Sequence, residues 1–132
     1  MSQENVERMR GAMEAFNQRD GSAFDGFLAR DAEIVPARAA VEGTTYRGVD
    51  AGSQYCVAVN QSWENLGWDV EQIRDGEDWV LALGHIRGAG RDSGVAIDTR
   101  AGWLAHFSQG RITRFQTFTN RDDALEAAGL RE

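Results

Sequence analysis

The chain has 132 residues, 42% hydrophobic and 27% charged, the balance of one globular domain, so residues 1–132 are read as a single unit. Its 14 basic and 21 acidic residues leave a formal net charge of −7, which argues against nucleic acid or an anionic membrane as a partner. No run is apolar enough to span a bilayer and the polar start, residues 1–11, is not a signal peptide, so a cytoplasmic location is expected, in agreement with a single cysteine, Cys56.

Val6, Met9, Met13 and Phe16 recur at spacings of three and four, which predicts a helix over 3–18, stopped by Asp20-Gly21. Ser22 is the expected N-cap of a second, short helix carrying Ala23, Phe24, Phe27 and Leu28. Residues 32–35 read as a short strand ended by Pro36, the one proline. Residues 37–47 show no period and are predicted as a loop with a β-bridge. Within them Tyr46 and Arg47 are either a lid or a simple cover. A third helix is expected over 48–65, with Ala51, Tyr55, Ala58 and Val59 inward. Gly52 weakens its start by about 1 kcal/mol relative to alanine.

The pattern then changes to strands. Trp68 and Val70 alternate with polar residues, and Asp75-Gly76 marks a turn. Long strands are predicted over 79–88, 95–107 and 111–120, followed by a helix over 121–128 with Gly129 as its C-cap. Glycines at 84, 88, 90, 94 and 102 predict a strongly bent sheet. The expected fold is α+β: a cone-shaped, curved antiparallel β-sheet wrapped over three N-terminal helices. No Cys/His spacing suggests a zinc site and no glycine pattern suggests a phosphate loop, so neither a metal nor a cofactor is expected.

Several segments resemble a known family. Glu14-Ala15-Phe16-Asn17-Gln18-Arg19-Asp20 is similar to the "EAFN-x-G-D" end of the first helix in SnoaL-like proteins, which belong to the nuclear transport factor 2-like superfamily with the ketosteroid isomerases. The run from Trp79 through Ser93-Gly94, and then Ala105 to Ile112, resembles that family's hairpin and glycine turn. The tail from Asn120 to Leu130 resembles its closing helix. The resemblance implies a conical pocket, commonly a homodimer, and members that are isomerases, polyketide cyclases, epoxide hydrolases or simple binders. Fold alone does not choose among these. The ketosteroid isomerase roles, carried over by the resemblance, fall on Ala12, Pro36 and Trp103, none of which suits proton transfer. Asp98 and Arg100 echo an epoxide hydrolase constellation, but their strand parity turns them outward.

Alternation with Trp103 puts Thr99, Ala101, Ala105 and Phe107 on the inner face. The resemblance adds Phe115, Thr117 and Thr119 from the last strand. Phe16, Phe24, Phe27, Tyr55 and Trp63 are expected to close the hollow from the helices. The candidate ligand-binding set is Phe16, Tyr55, Trp63, Trp103, Phe115 and Thr117, a lining suited to a flat apolar ligand. Trp103 is either a stacking residue or plain core. His85 shares a face with Leu81, Leu83 and Arg87; it is either a general base in the pocket or a structural or surface histidine. His106 is read as outward, and Cys56 as a small buried hydrophobe. Ile112, Arg114, Gln116 and Phe118 form the other face of the last strand, the expected homodimer surface. The leading reading is a pocket protein for a small, mostly apolar metabolite. The alternatives are a cofactor-independent isomerase, polyketide cyclase or hydrolase using His85, and a non-catalytic dimeric assembly module.

Overall fold

The computed structural model describes residues 2–37 and 45–130. The rest of the expected irregular segment, residues 38–44, lies outside the described residues. The first helix, α1 (Ser2–Asn17), buries Met9, Met13 and Phe16, the stripe expected from their spacing. The short α2 (Gly21–Asp25) is capped by Asp20 rather than Ser22: Ala23 N donates to Asp20 Oδ1 at 3.1 Å. Leu28 belongs not to this helix but to β1 (Leu28–Val35), which starts four residues before the expected strand. Tyr46 and Arg47 form β2 (Tyr46–Arg47) against Ile34 and Glu33.

The next helix, α3 (Ala51–Ser62), is shorter than expected at both ends. At its start, Ser53 N and Ser53 Oγ donate to the Asp25 carboxylate at 3.0 and 2.5 Å, so the capping acid comes from α2. A Cβ on Gly52 would stand 2.7 Å from Asp25 Oδ1, so the glycine admits the close approach of α2 to α3. At its end, Trp63 is already extended and pairs with Gly90.

Strands β3 (Trp63–Asp75), β4 (Trp79–Gly90), β5 (Ala96–Ser108) and β6 (Arg111–Phe118) form a meander, and α4 (Arg121–Ala127) closes the described chain. Asn120 caps α4 by accepting from Asp122 N and Asp123 N. The sheet order is β2-β1-β6-β5-β4-β3. Every pair is antiparallel except β1 with β6, which is parallel. The chain delivers Leu28 beside Ile112, and Ile112 N donates to Phe27 O at 2.9 Å. The return through β2 and α3 leaves β1 running with β6 rather than against it.

Bulges bend the sheet. The register of β3 on β4 shifts between Glu64 and Gly67 and again between Val70 and Gln72. Gly84 faces the second shift, where a Cβ would overlap the Asp69 carbonyl oxygen. A third shift lies in β6: His106 pairs with Arg114 and Phe107 with Ile112, leaving Thr113 as the extra residue. This bulge reverses the parity of Ile112. The residue expected on the outer face is fully buried in the concave core, while Phe118, beyond the bulge, packs on the outer face.

The concave face of the sheet and α1–α3 enclose the main core. On the other face, Leu81, Leu83 and Leu104 pack under Ala124 and Leu125 of α4. No helix among the described residues is long and apolar enough to cross a membrane.

Candidate functional site

The concave face of the bent sheet leaves a cavity of about 360 Å³ beneath α3. One wall is helical: Tyr55, Ala58, Val59 and Ser62 of α3. The facing wall is Trp63, Leu66 and Trp68 of β3, Ile86 of β4, and Ile97 and Thr99 of β5. Thr117 of β6 and Thr119 just beyond it complete that side, and Pro36, Ala37 and Tyr46 stand at the edge. None of these lining residues is charged. The volume is large enough for a small organic molecule, and the apolar walls carry scattered hydroxyls.

Trp68 organises the interior. Its ring stacks on Phe16 at 3.6 Å between centroids with an 8° interplanar angle, and on Phe115 at 5.5 Å and 16°. Trp103 and Tyr55 lie 5.5 and 6.2 Å from it, and Tyr46 stands 5.7 Å from Tyr55. The Asn17 amide holds the backbone behind this ring. Asn17 Nδ2 donates to Trp68 O at 2.9 Å, and Trp68 N donates to Asn17 Oδ1 at 2.8 Å.

Two residues further on, Arg19 stands where the resembling motif has glycine, and its φ is +55°. A non-glycine residue there costs roughly 1–2 kcal/mol. The side chain offsets this by joining three elements. Its guanidinium donates to Phe16 O at 2.6 Å, to Leu66 O and to Asn60 Oδ1 at 2.9 Å, and lies 4.4 Å from the Phe16 ring centroid. Burial lowers the guanidinium pKa from its ordinary value, with opposing contributions from Cys56 and Tyr55.

The expected ligand-binding residues divide. Tyr55, Trp63 and Thr117 line the cavity. Phe16, Trp103 and Phe115 do not: each has 0% exposure and fills the core beside it, because Trp68 occupies the space they were expected to face. Sequence reasoning placed Trp68 in a strand but assigned it no site role. Its register with Ile86, and that of Ile86 with Thr99, brings it to the concave face.

The catalytic expectation for His85 is overturned by position. It does share a face with Leu81 and Leu83, but that face is the outer one, while its neighbour Ile86 points into the cavity. His85 Nδ1 lies 2.7 Å from Asp98 Oδ1, and Nε2 lies 3.7 Å from Glu71 Oε2. Arg87 joins the group through Asp69 at 3.1 Å and Asp98 at 3.3 Å. The His85 hydrogen bond first, and Arg87 after it, hold the Asp98 carboxyl below its ordinary pKa. A sheet separates this cluster from the cavity, so it cannot exchange a proton with a molecule bound there. His106 likewise lies on the outer ladder, paired with Trp79 and Arg114.

Inside the cavity the acid-base chemistry is muted. Burial pushes the Tyr55 phenol well above its ordinary value, so it stays protonated. A contact with the Thr117 hydroxyl opposes that rise, while Thr117 Oγ1 makes no well-formed hydrogen bond among the described residues. Cys56 is buried and free, and burial raises its thiol pKa too. Among the described residues no group of three or more His, Cys, Asp or Glu side chains is placed to hold a metal ion.

The family model for the SnoaL-like domain matches residues 9–115, from the middle of α1 into β6. The chain belongs to the SnoaL-like family. Solved structures place this SnoaL-like domain in the nuclear transport factor 2-like, ketosteroid isomerase-like fold. A protein of unknown function from Burkholderia pseudomallei is 19% identical with a TM-score of 0.79, covering 96% of this chain and 97% of that one. A hypothetical protein with a ketosteroid isomerase-like fold from Catenulispora acidiphila, solved with trimethylamine, is 18% identical with a TM-score of 0.77, covering 95% and 94%. A candidate polyketide cyclase from Xanthomonas campestris is 20% identical with a TM-score of 0.78, covering 92% and 94%. At these identities the likeness is one of fold. No curated protein matches the sequence.

Proposed function

We propose that this SnoaL-like domain binds a small, mostly apolar metabolite in the cavity under α3 and performs no proton transfer on it. One observation carries the reading: a space of about 360 Å³ is lined by aromatic, aliphatic and hydroxyl side chains, with no carboxylate, imidazole or cation among the described lining residues. Apolar walls stabilise a ligand by roughly 25 cal/mol for each Å² of apolar surface removed from water. Catalysis of the isomerase type would need a base positioned at the substrate, and the nearest expected candidate, His85, faces the other way.

Trp63 and Trp68 line the cavity, so intrinsic tryptophan fluorescence reports on its occupancy. Small ketosteroids, polyketide fragments and epoxides are the probes. Saturable spectral change without turnover supports the proposal. Turnover of any probe that is lost on mutating a cavity residue refutes it and restores the enzyme reading. Trimethylamine, held by the Catenulispora relative, is the control. Tyr46, Tyr55, Trp63 and Trp68 present aromatic rings that could receive its cation. Tight saturable binding of that amine would favour an aromatic cage instead.

A homodimer through the outer face of the sheet belongs to the same proposal. In support, α4 covers only the part of that face around Leu81, Leu83 and Leu104, leaving the His85–Asp98 ladder and Arg114 open. Sedimentation of the purified protein tests it. A cytoplasmic location is proposed on the single free thiol of Cys56.

A further inference from the structure

Two buried side-chain atoms among the described residues lack a hydrogen-bond partner: Thr117 Oγ1 and Trp103 Nε1. Their residues are Cα partners across β5 and β6, on the concave face. Buried polar atoms in native structures are nearly always paired, so each orphan needs a physical reason. Trp103 lies outside the cavity wall. Thr117 is part of it, and only 4% of the residue is exposed. Its hydroxyl can swing about χ1 between staggered positions without moving the backbone. The Tyr55 phenol belongs to the helical wall, and Tyr55 and Thr117 are the two buried hydroxyl side chains among the described lining residues.

We infer that the cavity selects an uncharged ligand carrying a carbonyl-type oxygen, which receives the hydroxyl of Thr117 and the phenol of Tyr55. The inference rests on the pocket-binding reading above and adds the chemical class of the ligand. A carbonyl oxygen has two lone pairs and accepts from both donors at once. A purely alkyl ligand of the same shape leaves the Thr117 hydroxyl orphaned, and that desolvation cost persists in the complex. A carboxylate brings the same oxygens with a net charge, and no described lining side chain carries a compensating cation.

Acetophenone, cumene and benzoate separate these cases, because they share a ring and a branched substituent and differ in oxygen and charge. Binding of each is measured by calorimetry to the wild-type chain, to Thr117→Val and to Thr117→Ser. The expected result is that Thr117→Val weakens acetophenone about tenfold and leaves cumene unchanged. Thr117→Ser retains the acetophenone affinity, and benzoate shows no saturable binding. Equal weakening of acetophenone and cumene in Thr117→Val overturns the inference, as does benzoate binding as tightly as acetophenone. In either event the pocket reading survives. If neither neutral compound binds the wild-type chain, the pocket reading itself fails and takes the inference with it.

Discussion

Replacing Thr117 by valine in the ligand-free protein reverses the usual sign of a core substitution. Valine has nearly the shape of threonine, keeps the β-branch that suits a strand, and exchanges the hydroxyl for a methyl. In the unfolded chain that hydroxyl is hydrated. In the folded chain it is buried and has no hydrogen-bond partner among the described residues. Leaving such a group unsatisfied costs about 1–3 kcal/mol. Removing it returns that cost and adds a buried methyl, so a gain of roughly 1–2 kcal/mol is expected after allowing for imperfect fit. For a chain of this size that corresponds to a rise in Tm of roughly 4–8 °C. Urea unfolding followed by tryptophan fluorescence measures it, with the m-value checked for constancy. Thr119→Val is the control: Thr119 is exposed, and its change is expected within about 0.5 kcal/mol of zero. A loss of more than about 0.5 kcal/mol in Thr117→Val would refute the reasoning, because it would mean that the hydroxyl has a partner, the Tyr55 phenol or a buried water.

Asn17→Ala removes both hydrogen bonds to the Trp68 backbone and should cost about 1–2 kcal/mol in urea unfolding. Asn17→Asp, which can still accept from Trp68 N, should fall between the two. Gly84→Ala drives a Cβ into the Asp69 carbonyl and should cost at least about 1–3 kcal/mol, with loss of the β3–β4 amide protection seen by hydrogen exchange. Tyr55 has its folded pKa raised above the unfolded value of about 10, so its contribution is complete below pH ~10 and declines as pH rises beyond it. Tyr55→Phe should therefore flatten the alkaline limb of the stability curve; an unchanged slope would contradict the burial of the phenol. His85→Ala should leave the affinity for any cavity ligand within about twofold, and a larger loss would return the histidine to the site.

Much of the architecture was legible because it is written in local periods. The α1 stripe of Met9, Met13 and Phe16 needs only 3.6-residue spacing, and the inner set on β5 around Trp103 needs only alternation. The outward turn of Asp98 and Arg100 followed from the same parity. Tyr55 was legible as a wall residue from helical spacing and Thr117 through the family resemblance, while Trp63 borders the cavity from β3 and not from the helix expected there. Parity could not place Ile112, because the bulge at Thr113 inserts one residue and no side-chain type announces it. Nor could it say which face of β4 looks inward, so His85 stayed open between a pocket base and a surface histidine until the sheet turned its face away from the cavity. The start of α3 was hidden for a related reason: its cap is Asp25, far back along the chain.

The sequence by itself determined the element order, the long glycine-bearing strands and the family, since each depends on neighbours a few residues apart. Tertiary structure alone decided which inward aromatics fill the core and which border a space. Phe16, Trp103 and Phe115 are consumed by packing around Trp68, while Tyr55 and Trp63 remain at the cavity wall. That division depends on how volumes from α1, β3, β5 and β6 meet in three dimensions, and no single segment contains the information.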